Sequence, residues 1–115
     1  MQRVAVRILV VDDDVSTLKV LQSILGAEGF AVEVSKTPGH ALALVGEAPF
    51  DILLTDLVMA DMDGLELVEA ARRVQPELRC CVMSGHSRGG DIPAHVRWID
   101  KPLDVDLVLD VLGLP

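Results

Sequence analysis

Short, dense apolar runs alternate with segments of helical periodicity from one end of this 115-residue chain to the other, and that alternation leaves few architectures open. Residues 8–11 (ILVV) form a continuous apolar run of the kind buried on both faces of a parallel sheet. Asp14 is placed to cap a helix whose apolar residues Leu18, Leu21, Ile24 and Leu25 recur at helical spacing, ending near Gly29. Residues 30–34 read as a second strand. Pro38 suits the first turn of a second helix carrying Ala41, Leu42 and Val45; Pro49 closes it, and residues 51–55 form a third strand. Asp63 and Gly64 open a third helix with Leu65, Leu67, Val68 and Ala71, ending before Pro76. Residues 79–83 and 96–99 are the fourth and fifth strands, and residues 104–112 a last helix. Five strands alternating with helices imply an α/β domain, a parallel sheet covered on both faces. At this length a single domain over residues 1–115 is expected.

Half the residues are apolar, yet no run approaches the roughly 20 needed to span a membrane. No basic-then-apolar leader opens the chain, so the expectation is a soluble cytoplasmic protein. The formal net charge of −8, with no Lys/Arg run, argues against direct binding to nucleic acid or an anionic membrane. Cys80 and Cys81 are neighbours on a strand, point to opposite faces and are poorly placed to pair with each other. With no metal-ligand spacing they read as small core residues of a reducing compartment.

In such sheets ligand sites gather at the carboxyl ends of the strands. The polar residues there are Asp12, Asp13 and Asp14 after the first strand, Asp56 after the third, Ser84 after the fourth, and Asp100 and Lys101 after the fifth. Clustered carboxylates raise one another's pKa unless a cation relieves them, and Mg²⁺ is a natural partner that leaves room for a phosphate oxygen. Lys101 adds a mobile point charge and Ser84 a hydroxyl, which together suit the peripheral oxygens of a phosphoryl group. No Ser, Cys or His triad is visible, so the nucleophile is expected to be a carboxylate. Taken singly, acids at a helix N-terminus or a serine in a turn are commonplace. Complementary chemistry at four separate strand ends is not.

The segments ILVVDDD (8–14), LLTDLVMADMDGLEL (53–67), VMSG (82–85) and WIDKP (98–102) resemble the four signature segments of response-regulator receiver domains, in order and across almost the whole chain. The resemblance implies a flavodoxin-like, doubly wound sheet of strand order 2-1-3-4-5. It makes Asp56 the phosphorylated aspartate and a metal ligand, Asp13 the direct Mg²⁺ ligand, and Asp12 the acid that reaches the metal through water. The backbone carbonyl of Val58 completes the protein's share of the shell. Ser84 matches the switch hydroxyl, Gly85 the small residue beside it, and Lys101 the phosphate-binding lysine, with a cis peptide to Pro102. Trp98 stands where the family has Tyr or Phe, the aromatic that swings inward behind the switch. The implied function is regulatory rather than enzymatic: a two-component phosphorelay switch charged by a phosphohistidine on a sensor histidine kinase or phosphotransfer protein. The output partner stays open, and so does a homodimer.

The chain also departs from that pattern. Ala60 replaces a common proline, and Val58 and His86 occupy positions that influence phosphoryl lifetime in the family. His86 is expected to face solvent, and His40 and His95 show no partner pattern. Where the family fits a fourth helix, residues 87–95 read SRGGDIPAH, so that helix should be short, displaced or missing. Two other readings stay open. One is a pseudo-receiver binding module that is not phosphorylated. The other is a haloacid-dehalogenase-like phosphohydrolase, in which Asp12 of Asp12-Asp13-Asp14-Val15-Ser16 is the nucleophile.

Overall fold

The computed structural model describes residues 5–85 and 92–112. Five strands, β1 (Arg7–Val11), β2 (Ala31–Ser35), β3 (Ile52–Asp56), β4 (Arg79–Ser84) and β5 (Val96–Asp100), pair in parallel in the order β2-β1-β3-β4-β5. This is the doubly wound order that the resemblance implied. The helices among the described residues are α1 (Val15–Ala27), α2 (Pro38–Glu47), α3 (Gly64–Val74) and α4 (Val105–Val111).

Strand alternation divides the core in two. Ile8, Val10, Ile52, Leu54, Cys81 and Met83 face Leu18, Leu21 and Leu25 of α1 and Val108 of α4. Leu9, Val11, Leu53, Cys80 and Val82 face Ala41 and Val45 of α2 and Leu67, Val68 and Ala71 of α3. The adjacent cysteines therefore sit in opposite cores, both free and buried, as their spacing required. Central β3 is buried along its whole length, whereas edge strand β2 is buried only at Ser35.

Side-chain caps fix where the helices begin, and hence where the loops at the sheet rim lie. The Asp14 carboxylate accepts from Ser16 N at 2.9 Å, and Thr37 Oγ1 accepts from His40 N with Pro38 in the first turn. Asp63 and Glu66 form a reciprocal capping box at α3. Gly29, at φ +97°, turns the chain out of α1 into β2, a conformation glycine adopts without steric cost.

Three strands run one residue further than the apolar runs alone predict. Asp56, Ser84 and Asp100 are the last residues of their strands, because the ladder continues through Leu57 N to Met83 O and Lys101 N to Ser84 O, each 2.8 Å. The expected irregularity between β4 and β5 falls largely on residues 86–91, which with His86 lie outside the described residues. Ile92 and Pro93 are not helical, and a turn at 94–95 leads into β5.

A candidate phosphoacceptor site at the sheet rim

β1 and β3 are adjacent, so their carboxyl ends deliver Asp12, Asp13 and Asp56 to one place. One carboxylate oxygen from each lies within 4.8 Å of the others. Asp12 is almost fully buried and Asp56 nearly so, while Asp13 is exposed. Lys101 enters from the end of β5, and its Nζ stands 3.1 Å from both Asp12 Oδ2 and Asp56 Oδ1. The other oxygen of Asp12 accepts from Asp14 N at 2.9 Å.

Electrostatics follow from that crowding. Burial raises the Asp12 carboxyl above its ordinary value, and the neighbouring Asp56 charge adds to this; the Asp14 N–H and Lys101 act in the opposite direction. Burial works against the Lys101 ammonium, but its hydrogen bonds to Asp56 and Asp12 outweigh burial and raise it. Lys101 is thus the built-in counter-ion of the cluster. The peptide bond from Lys101 to Pro102 is cis, as the resemblance implied.

Ser84 is buried at the end of β4, in register with Asp100. An added Cβ at Gly85 would make only an ordinary 3.9 Å contact with Lys101 Cβ, so this conformation does not itself require glycine. Trp98 is half-buried against the α2/α3 core, and its Nε1 donates to Asp100 Oδ1 at 3.1 Å. The loop after β3 carries Val58, whose side chain is exposed. The rim therefore gathers Asp12, Asp13, Asp56 and Lys101, and puts Ser84 one strand away. Trp98 is turned to Asp100 rather than to the carboxylates, and Val58 follows Asp56 by two residues with its side chain exposed.

Some supporting residues escaped the sequence reading. The sequence marks Gly64 only as a helix start, yet a Cβ there would collide with the Asp56 carbonyl oxygen, and its N–H donates to Leu57 O at 2.7 Å. Glycine is what lets α3 press on the strand end that carries Asp56. Thr55, buried, donates its hydroxyl to the same carbonyl at 3.0 Å. His40 has a partner after all: its Nδ1 lies 2.9 Å from Ser35 Oγ, and the Ser35 carbonyl accepts from Asp12 N. The Asp63-Gly64 pair was the visible trace of the first contact; nothing in the sequence marked the other two.

The family model for the response regulator receiver domain matches residues 8–109. The chain belongs to this family. It is 34% identical over 106 residues to the transcriptional regulatory protein ZraR of Klebsiella oxytoca, covering 88% of this chain but 24% of that protein. It is 32% identical over 111 residues to the response regulator receiver protein CpdR of Brucella abortus, covering 91% of this chain and 92% of that one. Among solved structures, the CheY-like receiver domain protein of Methanospirillum hungatei superimposes with a TM-score of 0.84 at 30% identity, over 95% of this chain and 91% of that one. The chain spans about a quarter of the length of the first curated relatives it matches.

Receiver domains are regulatory phosphoacceptor domains of two-component systems rather than enzymes, and they work with histidine kinases or phosphotransfer proteins. Membership sets aside the haloacid-dehalogenase-like alternative. Receivers also bind Mg²⁺ at an acidic pocket. The residues here fit that ion, since three carboxylates converge within reach of one hard cation and supply only oxygen donors. No helix among the described residues is long and apolar enough to cross a membrane.

Proposed function

We propose that this chain is a phosphorelay switch in which Asp56 takes a phosphoryl group from the phosphohistidine of a sensor histidine kinase or phosphotransfer protein, with residues 1–115 forming one cytoplasmic receiver domain. Asp12, Asp13, Asp56 and the Val58 backbone carbonyl would hold Mg²⁺. When bound, the ion neutralises charge on the carboxylates and on the phosphoryl oxygens. The observation that carries the reading is the position of Lys101 Nζ, 3.1 Å from both Asp12 and Asp56.

In the transfer, an Asp56 carboxylate oxygen attacks phosphorus as the P–N bond to the donor imidazole breaks. The imidazole nitrogen keeps that electron pair and takes up a proton. Lys101, on its flexible stem, shifts from the Asp56 carboxylate to the new phosphoryl oxygens. The Ser84 hydroxyl donates to one of those oxygens, and Trp98 moves in behind it. The result is a two-state region biased toward its active form. Attack by water on the acyl phosphate resets the switch.

Intact-mass measurement after treatment with Mg²⁺ and a small phosphodonor tests this reading. The wild type should gain one phosphoryl group and Asp56→Ala none. Labelling at Asp12 or a histidine in both proteins would overturn it, and an unlabelled wild type would favour the pseudo-receiver. Trp98 is the only tryptophan, so a beryllofluoride mimic with Mg²⁺ should change its emission in the wild type and leave Asp56→Asn silent. Lys101→Ala should keep the acceptor and lose most of that coupling.

A further inference from the structure

The opposite rim of the sheet, where β4 and β5 begin, carries a cavity of about 300 Å³ that the phosphorelay reading does not use. Arg72 reaches it from the last turn of α3, Arg79 from the start of β4, Arg97 from β5 and His95 from the turn before β5. None of the described residues lining it is acidic, in a chain whose net charge is −8.

The cations there form no ion pair with a carboxylate among the described residues. Among the described residues, the ion pairs join Arg7 to Glu33, Arg73 to Glu69, and Lys101 to Asp12 and Asp56. Among the described residues, Arg72 donates to Leu78 O at 2.6 Å and hydrogen-bonds the Cys80 thiol, and Arg79 donates to Leu112 O at 2.5 Å; a guanidinium has five N–H donors, enough to serve a ligand as well. The Arg97 side chain, exposed, makes no hydrogen bond or ion pair among the described residues. Asp51, whose carbonyl accepts from Arg79 N, directs its carboxylate at Arg7 N instead. Cys80 and Cys81 border the same cavity from opposite faces of β4, and burial pushes both thiols up to about 11, against the pull of Arg72 on Cys80 and of Arg79 and Arg97 on Cys81. At neutral pH they are uncharged and cannot balance the arginines.

We propose that this cavity is a second binding site, for a small, multiply charged phosphate anion. Planar guanidinium forks match phosphate oxygens in pairs. Three of them line this cavity from three different elements, which suits a tetrahedral group better than a flat carboxylate. Ile52 and Val111 supply an apolar wall on one side of the site.

Inorganic pyrophosphate is the probe, titrated into the full chain in divalent-free buffer at constant ionic strength and followed by amide chemical shifts. Saturable shifts should concentrate at Cys80, His95 and Arg97. Arg97→Ala should weaken binding at least tenfold, and Arg97→Glu should abolish it. Both are expected to fold as the wild type does, because this side chain is exposed and, among the described residues, holds no ion pair or hydrogen bond. Shifts centred on Lys101, shifts that never saturate, or equal affinity in Arg97→Ala would each overturn the site.

Discussion

At the carboxyl-terminal rim of the sheet, Asp12, Asp13 and Asp56 crowd around one ammonium, Lys101, held 3.1 Å from two of them. At the amino-terminal rim, Arg72, Arg79 and Arg97 share a cavity with His95 and, among the described residues, have no carboxylate within ion-pair distance. At the acid rim the two buried carboxylates, Asp12 and Asp56, share Lys101 as a partner; the basic rim is open to solvent. A buried charge left without a partner is strongly destabilising, whereas an exposed one costs little. The acid rim must therefore carry its own cation, and the basic rim can wait for an anion from outside.

The largest test of that contrast is Lys101→Ala. Without the ammonium, buried Asp12 faces the other carboxylates with no cation beside it, and the loss in divalent-free buffer should be about 3 kcal/mol by urea denaturation. Arg97→Ala at the other rim should change stability by less than about 0.5 kcal/mol. Millimolar Mg²⁺ should restore part of the Lys101→Ala loss. The sign with pH is fixed by Asp12, whose raised carboxyl contributes stability that is full below its unfolded value of 3.8 and lost as pH rises through the folded value. The deficit of Lys101→Ala should accordingly shrink on acidification. Equal losses from Lys101→Ala and Arg97→Ala would erase the distinction between the rims.

The thiols probe the basic rim from beneath. Both are raised from 9.0 to about 11, chiefly by burial, so each contributes stability that is full below pH 9 and lost as pH rises through about 11. Between pH 8 and 10 the wild type should lose about 2 kcal/mol more than a Cys80→Ala/Cys81→Ala variant. The slopes are compared, not the intercepts, since the variant also loses buried volume. Parallel slopes would mean that the arginines already stabilise thiolates, and that the basic rim has internal anions.

Gly64 and Gly46 separate close approach from helix propensity at the acid rim. A Cβ at Gly64 would strike the Asp56 carbonyl oxygen, whereas one at Gly46, inside α2, would meet nothing within 4 Å. Gly64→Ala should cost roughly 1.5 kcal/mol and disturb phosphoryl uptake at Asp56. Gly46→Ala should gain about 0.5–1 kcal/mol and leave uptake alone. Thermal melts and phosphodonor labelling of the two variants give both readouts.

Much of the acid rim was legible before the structure. Apolar runs placed the strands, caps such as Asp14 and Pro38 placed the helices, and the acids stood where strands had to end. The strand order was not readable from periodicity and came through the resemblance. The strand ends at Asp56, Ser84 and Asp100 were one residue further on, because backbone pairing continues past the last apolar side chain. Gly64 beneath Asp56 and the His40–Ser35 contact behind Asp12 depend on how separate elements meet, which no local pattern records. The basic rim was invisible for the same reason. Arg72, Arg79 and Arg97 form no run, and only the topology of α3, β4 and β5 collects them.

The smallest expected effect sorts the acids of the carboxyl-terminal rim among themselves. Three consecutive aspartates follow the apolar run of β1, and composition treats them alike. The structure does not. Asp13 joins the carboxylate cluster, while Asp14 turns to the start of α1, accepting from Ser16 N at 2.9 Å and from Thr17 Oγ1 at 3.2 Å. Asp14→Ala should therefore lower stability by about 1 kcal/mol, the usual worth of an N-cap, and keep the Mg²⁺ response. Asp14→Asn, which retains a capping oxygen, should recover most of that. Asp13→Ala should do the opposite: almost no loss without metal, and little of the roughly 1.4 kcal/mol that Mg²⁺ at ten times its Kd adds to the wild type. Melting temperatures of the three variants with and without Mg²⁺ decide it. A full Mg²⁺ response in Asp13→Ala, or its disappearance in Asp14→Ala, would move the metal to a different pair of carboxylates from the one the geometry favours.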